Sequence, residues 1–114
     1  MTSNNYKELI VENKKGGTML FKMYSIDRLI KDNKLVDTKA FQDWVDEGIE
    51  GAGVKDTENP VEELKVWWDN MGMCCSFEEE CMKQRVNGML REKKLVYNPI
   101  LGLGGYYIPD EVVV

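Results

Sequence analysis

"LREKKLVYNPILGLGGYYIPD", Leu90 to Asp110, runs from a basic segment into two short apolar runs separated by a proline and three glycines. Two readings compete for it. Glycines let backbone N–H groups approach a phosphate closely, but such loops open a helix whose N-terminus supplies the favourable dipole. Here the spacing matches neither G-x-G-x-x-G nor G-x-x-x-x-G-K-[ST], and Tyr106-Tyr107-Ile108-Pro109 follows, which is strand-like. The stretch therefore predicts a hairpin of Leu95–Tyr97 and Tyr106–Ile108, with glycines in its turn and Pro109 at its end.

The other end of the chain repeats the pattern. Leu9–Glu12 and Thr18–Tyr24 are strand-like and are separated by Lys14-Lys15-Gly16-Gly17, where glycine permits the positive φ of a tight turn. Residues 1–5 are expected to fray. Ser25 can cap a short helix that carries Ile26, Leu29 and Ile30 and ends near Asn33. Thr38 or Asp37 can cap a second, with Phe41, Trp44, Val45 and Ile49 on one face and Asp43, Asp46, Glu47 and Glu50 on the others. "GIEGAGVKDTEN", Gly48 to Asn59, reads as a loop.

Asn59-Pro60-Val61-Glu62 supplies an N-cap, a proline at the first helical position and a capping-box glutamate; Val61, Leu64, Trp68 and Met71 form the stripe and Gly72 ends it. Ser76-Phe77-Glu78-Glu79 opens the longest helix, expected to reach about Lys94 with Met82, Val86, Met89 and Leu90 facing inward. Its charges follow the helix dipole, from Glu78, Glu79 and Glu80 to Arg91, Lys93 and Lys94. The expected fold is α+β: a small single domain over residues 1–114, about four helices with N- and C-terminal β-hairpins. Leu95, Ile100, Tyr106 and Ile108 would join its core.

Composition narrows the chemistry. At 114 residues and 43% hydrophobic, the chain is long enough to bury a core. The absence of histidine removes Ser/His/Asp and Cys/His catalysis and His-ligated metals together. Cys74, Cys75 and Cys81 make an odd set that predicts reduced thiols; with no fourth cysteine and no histidine they do not suit a tetrahedral zinc site. No apolar run is long enough for a membrane span and no signal peptide is discernible, so a cytoplasmic, reducing location is expected. Twelve Lys against three Arg, with eight Asn, suggest an AT-rich coding sequence such as many phages and low-GC bacteria have, and a phage or mobile-element source is expected.

The net charge of -5 is unevenly spread. Residues 1–36 carry 7 basic and 4 acidic groups, residues 37–80 carry 3 and 13, and residues 81–114 carry 5 and 3. Asp43, Asp46, Glu47 and Glu50 are the centre of the acidic stretch. Trp67 and Trp68 are adjacent, so one helix face cannot bury both; Trp68 fits the core stripe and Trp67 is a candidate binding anchor. Lys83, Gln84, Arg85, Asn87, Arg91, Lys93 and Lys94 form a second constellation, of side chains able to clamp phosphates and read bases.

The run "VEELKVWWDNMGMCCSFEEECMKQRVNGMLREKKLVYNPILGLGGYYIPD" has the order helix, turn, longer helix, strand, glycine-bearing loop, strand. Residues 59–110 thereby resemble a winged-helix domain. The resemblance implies a recognition helix through Leu90 and a wing over Asn98–Gly105. Two features depart from a DNA reader: Glu78-Glu79-Glu80 opens the recognition helix, where phosphate would repel carboxylates, and the wing has no Lys or Arg. The expectation is accordingly a non-enzymatic protein-interaction module, a small acidic regulator or inhibitor. It would bind the basic surface of a nucleic-acid-handling protein, without cofactor or metal. A winged-helix transcriptional regulator that binds DNA through residues 82–94 is the alternative.

Overall fold

The computed structural model describes residues 7–12, 16–101 and 104–113, with the order β1 (Lys7–Glu12), β2 (Thr18–Tyr24), α1 (Ile26–Lys31), α2 (Lys39–Ala52), α3 (Pro60–Asn70), α4 (Phe77–Arg91), β3 (Val96–Tyr97) and β4 (Tyr106–Tyr107). The fold is α+β: four helices and one antiparallel sheet in the order β1-β2-β4-β3. The chain divides into two compact units, residues 1–36 with 89–114, and residues 37–88. The turn at Lys14-Lys15, the fraying of residues 1–5 and the wing positions Gly102 and Leu103 lie outside the described residues.

The sheet unit joins the two hairpins through β2 and β4, where Met23 faces Tyr107 and Tyr24 faces Tyr106. An aromatic pair stabilises this seam, Phe21 meeting Tyr107 edge-on at 4.9 Å, and a second, Tyr97 with Tyr106 at 4.6 Å, stabilises the β3–β4 pairing. Gly104 closes it. At φ 104°, its Cα sits so near the Tyr24–Ser25 peptide that a Cβ would come within 2.5 Å of the Tyr24 carbonyl oxygen. Met23, Tyr24, Leu29, Met89 and Leu95 are buried in this unit. Ser25 accepts from the Arg28 N–H at 3.2 Å, as an N-cap should.

Two expectations fail here for identifiable reasons. The longest helix ends at Arg91, not Lys94, because Lys93 adopts φ 62° and Lys94 N–H donates back to the Met89 carbonyl at 2.9 Å. That left-handed turn delivers Leu95 into the core, 1% exposed. Ile100 is 94% exposed: it lies in a 3-10 turn, Pro99–Leu101, whose backbone is held by the Asn98 side chain instead of by core packing.

In the helical unit, Phe41, Val45, Leu64, Phe77 and Cys81 form the core, with Trp44, Ile49, Trp67 and Trp68 packed against it. Thr38 caps α2, its hydroxyl accepting from Phe41 N–H at 3.1 Å, and is itself 2% exposed. It is buried under Gly88 of α4, where any Cβ would overlap the threonine hydroxyl. The predicted loop from Gly48 is overturned: α2 continues to Ala52, with Gly53 at φ 72° as its left-handed cap. Gly48 lies inside this helix, where a Cβ would stand 3.1 Å from Leu64 Cδ2 and that side chain would have to shift. On α3, Leu64 is buried, but Val61 and Met71, assigned to the same stripe, are 48% and 57% exposed. They flank the helix ends, and Asn59 caps the start as predicted.

Gly88→Ala should lower unfolding stability by about 1–3 kcal/mol through overpacking. Gly51→Ala, on an open helix surface where a Cβ meets nothing within 4 Å, should raise it by up to about 1 kcal/mol. Urea titrations of both variants measure these opposite signs.

A second test concerns Glu111. Burial alone would raise its carboxyl pKa, but the Tyr24 hydroxyl donating at 2.6 Å and Lys34 Nζ at 2.9 Å outweigh it and hold the group below the usual carboxylate range. A depressed folded-state pKa contributes stability above the ordinary value of about 4.3 and loses it as pH falls through the lowered one. Denaturation midpoints of the wild type should therefore fall more steeply with acid than those of Glu111→Gln.

Candidate functional site

The helical unit carries 13 acidic against 5 basic residues, whereas the remainder of the chain carries 7 against 10. Much of the excess stands on α2. With Phe41 and Val45 turned into the core, helical spacing sends Asp43, Asp46, Glu47 and Glu50 to solvent, and all four are exposed. Asp43 pairs with Lys39 at 3.3 Å, an exposed i,i+4 contact of little energetic weight, and Asp46 accepts from Gln42 at 3.3 Å. Among the described residues the ion pairs of this unit engage Asp37, Asp43 and Glu78, leaving Asp46, Glu47 and Glu50 of α2 without a cationic partner.

Within the helical unit, Arg85 stands apart from the other members of the basic constellation. Arg85 donates from Nε to Asp37 at 2.7 Å, and its guanidinium carbon lies 4.5 Å from the Phe41 ring centroid, so its charge and its planar face are both engaged. It projects about 200° around α4 from Lys83, two residues away. Lys83 and Asn87 are exposed one turn apart, and Gln84 donates to Glu80 at 2.8 Å. Arg91, Lys93 and Lys94 are exposed in the sheet unit, where Lys94 stands 3.5 Å from Glu92. The first turn of α4 presents Glu78 and Glu79 to solvent.

Two cavities open on the helical unit. One, of 380 Å³, has an apolar floor including Phe41, Val45 and Phe77, and both signs of charge around it, from Asp37, Glu62 and Glu78 to Lys65 and Arg85. The other, of 320 Å³, is lined by Trp44, Trp67 and Trp68 with Gly48 and Gly51, and its one charged residue is Glu47. Trp44 stacks on Phe77 at 5.9 Å and meets Trp68 edge-on at 6.1 Å, which fixes the walls. Trp68 spends its indole N–H on the Cys75 carbonyl at 3.0 Å. The sequence singles out Trp67 and assigns Trp44 and Trp68 to the core, against which all three pack half-buried. The missed signal is that all three tryptophans of the chain fall within one helical pair whose facing positions are glycines.

Cys74 is exposed, Cys75 half-buried and Cys81 buried, with burial pushing the Cys81 thiol pKa up. Among the described residues no three Cys, Asp or Glu side chains converge as metal ligands, and no helix is long and apolar enough to cross a membrane. No known protein family, curated protein or solved structure gives a significant match to this chain.

Thiol titration should reveal the graded exposure: Cys74 reacts first with a water-soluble disulfide reagent in the native protein, and Cys81 only on unfolding. Equal native rates for the two would contradict the packing of α4.

Proposed function

We propose that this chain is a non-enzymatic interaction protein whose acidic helical unit binds a basic surface of a nucleic-acid-handling protein, acting there as a small regulator or inhibitor. One observation carries the reading: the acidic residues are concentrated in one compact unit and stand exposed on α2, with Asp46, Glu47 and Glu50 in no ion pair among the described residues. A field of one sign speeds and orients encounter with the opposite sign and repels competing acidic surfaces, nucleic acid included. An inhibitor that occupies a groove built for phosphates would display carboxylates in this way. The AT-rich composition fits a phage or mobile-element source, acting in the cytoplasm of a host.

The competing winged-helix reading asks α4 to lie against duplex DNA. Exposed Glu78 and Glu79 at its start, and an Arg85 already paired with Asp37, both weigh against that.

Immobilised protein should capture basic proteins from a nuclease-treated extract in a salt-sensitive manner. Reversing Asp43, Asp46, Glu47 and Glu50 to lysine should abolish capture while the thermal melt stays close to wild type. Capture that survives the reversal sinks the acidic-face reading. Direct retention of duplex DNA that weakens with salt and with Arg91→Ala would replace it by the DNA-binding one.

A further inference from the structure

The recess walled by Trp44, Trp67 and Trp68 lies at the surface of the helical core, against which all three indoles pack. Larger side chains on α2 could cover such a surface groove and bury more apolar area. Here α2 presents Gly48 and Gly51 instead. At Gly48 a Cβ would stand 3.1 Å from Leu64 Cδ2, so that side chain would have to shift; at Gly51 it would meet nothing within 4 Å. The helix thus forgoes up to about 1 kcal/mol of helix propensity at Gly51 and leaves a recess of 320 Å³.

The walls say what suits it. Indole faces attract cations through their quadrupole, tryptophan most strongly of the aromatic residues. The single charged residue in the lining is Glu47, exposed and without a cationic partner among the described residues. Asp43 and Glu50, four residues before and three after it, continue the carboxylate ridge along the same side of α2. The neighbouring cleft differs in this respect, because Lys65 and Arg85 already supply cations there. The indole N–H groups of Trp44 and Trp67 donate to no described residue, and no buried side-chain polar atom among the described residues is left unpaired, so neither group is fully shut off from solvent.

We infer that this tryptophan-walled recess is a receptor for a single arginine or lysine side chain of the partner, held by the indoles and by Glu47. The inference rests on the acidic-module reading and specifies how such a module would recognise its target. The alkyl stem fills the apolar recess and the cationic head stays at the carboxylate rim, a division of labour that long basic side chains adopt readily. The ridge of carboxylates would govern how fast a basic partner arrives; the recess would govern which residue it must offer.

Nuclear magnetic resonance reads the recess directly, because every tryptophan of the chain lines it and gives its own indole N–H signal. The full-length protein is titrated with a peptide of alternating arginine and glycine, and with matched peptides carrying citrulline or norleucine in place of arginine. Saturable shifts of the Trp44 and Trp67 indole signals are expected with the arginine peptide and not with the other two. Glu47→Gln should weaken binding about threefold, the scale of an exposed ion pair. Gly51→Leu, which places a side chain in open space, should abolish the indole shifts while leaving the thermal melt intact.

Indole signals that stay still while the arginine peptide binds, or a Gly51→Leu protein that binds as wild type, would overturn the recess and leave the acidic-face reading standing. Norleucine binding equal to arginine would overturn the cationic occupant. Absence of any binding by the arginine peptide at low salt would remove the recess and the acidic-face reading together.

Discussion

The placement of α2 depends on one crowded contact, the Thr38 hydroxyl beneath Gly88. A helix N-cap is ordinarily solvated, because its task of satisfying free N–H groups suits a polar surface. This one is almost fully buried, and the structure tolerates it only because the hydroxyl accepts from Phe41 N–H and because α4 presents a residue without a side chain. The contact fixes the start of α2 against α4 and so sets its rotation. Phe41 and Val45 then point inward, Arg85 closes over the Phe41 ring, and the carboxylates have nowhere to go but outward. An acidic face arises here as a by-product of where a threonine and a glycine meet.

The parts of the fold governed by local chemistry were legible in the chain. Both hairpins, the caps Ser25, Thr38 and Asn59, and the left-handed stop at Gly72 follow from what neighbouring residues do to φ and to unpaired N–H groups, and each stands where it was expected. The misreadings share another cause. Gly48 and Gly51 look like loop residues, yet both are helical, one beside Leu64 of another helix and the other beside open space. Ile100 looks like a core residue, yet an asparagine-held turn carries it into solvent. Long-range packing is invisible to a window of neighbours, and glycine is ambiguous without it.

The same limit applied to the candidate site. The four carboxylates of α2 were identifiable from helical spacing alone, since an exposed face needs only the period of the helix and the position of its apolar stripe. The partition of the basic residues was not, because nothing in "CMKQRVNGMLR" states that Arg85 will turn back onto Asp37 and Phe41. Nor could adjacency reveal that Trp67 and Trp68 share a recess with Trp44. That arrangement needs two helices to be placed, and it converts a reading of one exposed anchor into one of three walls.

Concentrating acid in one unit has a thermodynamic consequence that links its stability to its proposed role. Like charges on neighbouring turns repel, and with only 5 basic residues among 13 acidic ones the helical unit holds that repulsion in its folded, unbound state. The aromatic cluster of Phe41, Trp44, Trp68 and Phe77 offsets it from within, without any neutralising partner. A basic partner would relieve the repulsion on arrival, so part of its affinity would come from strain already present in the free protein, and salt would weaken both terms together. The steering and the self-repulsion are therefore two effects of one charge distribution, and the aromatic core of the unit is what allows that distribution to persist while it is unoccupied.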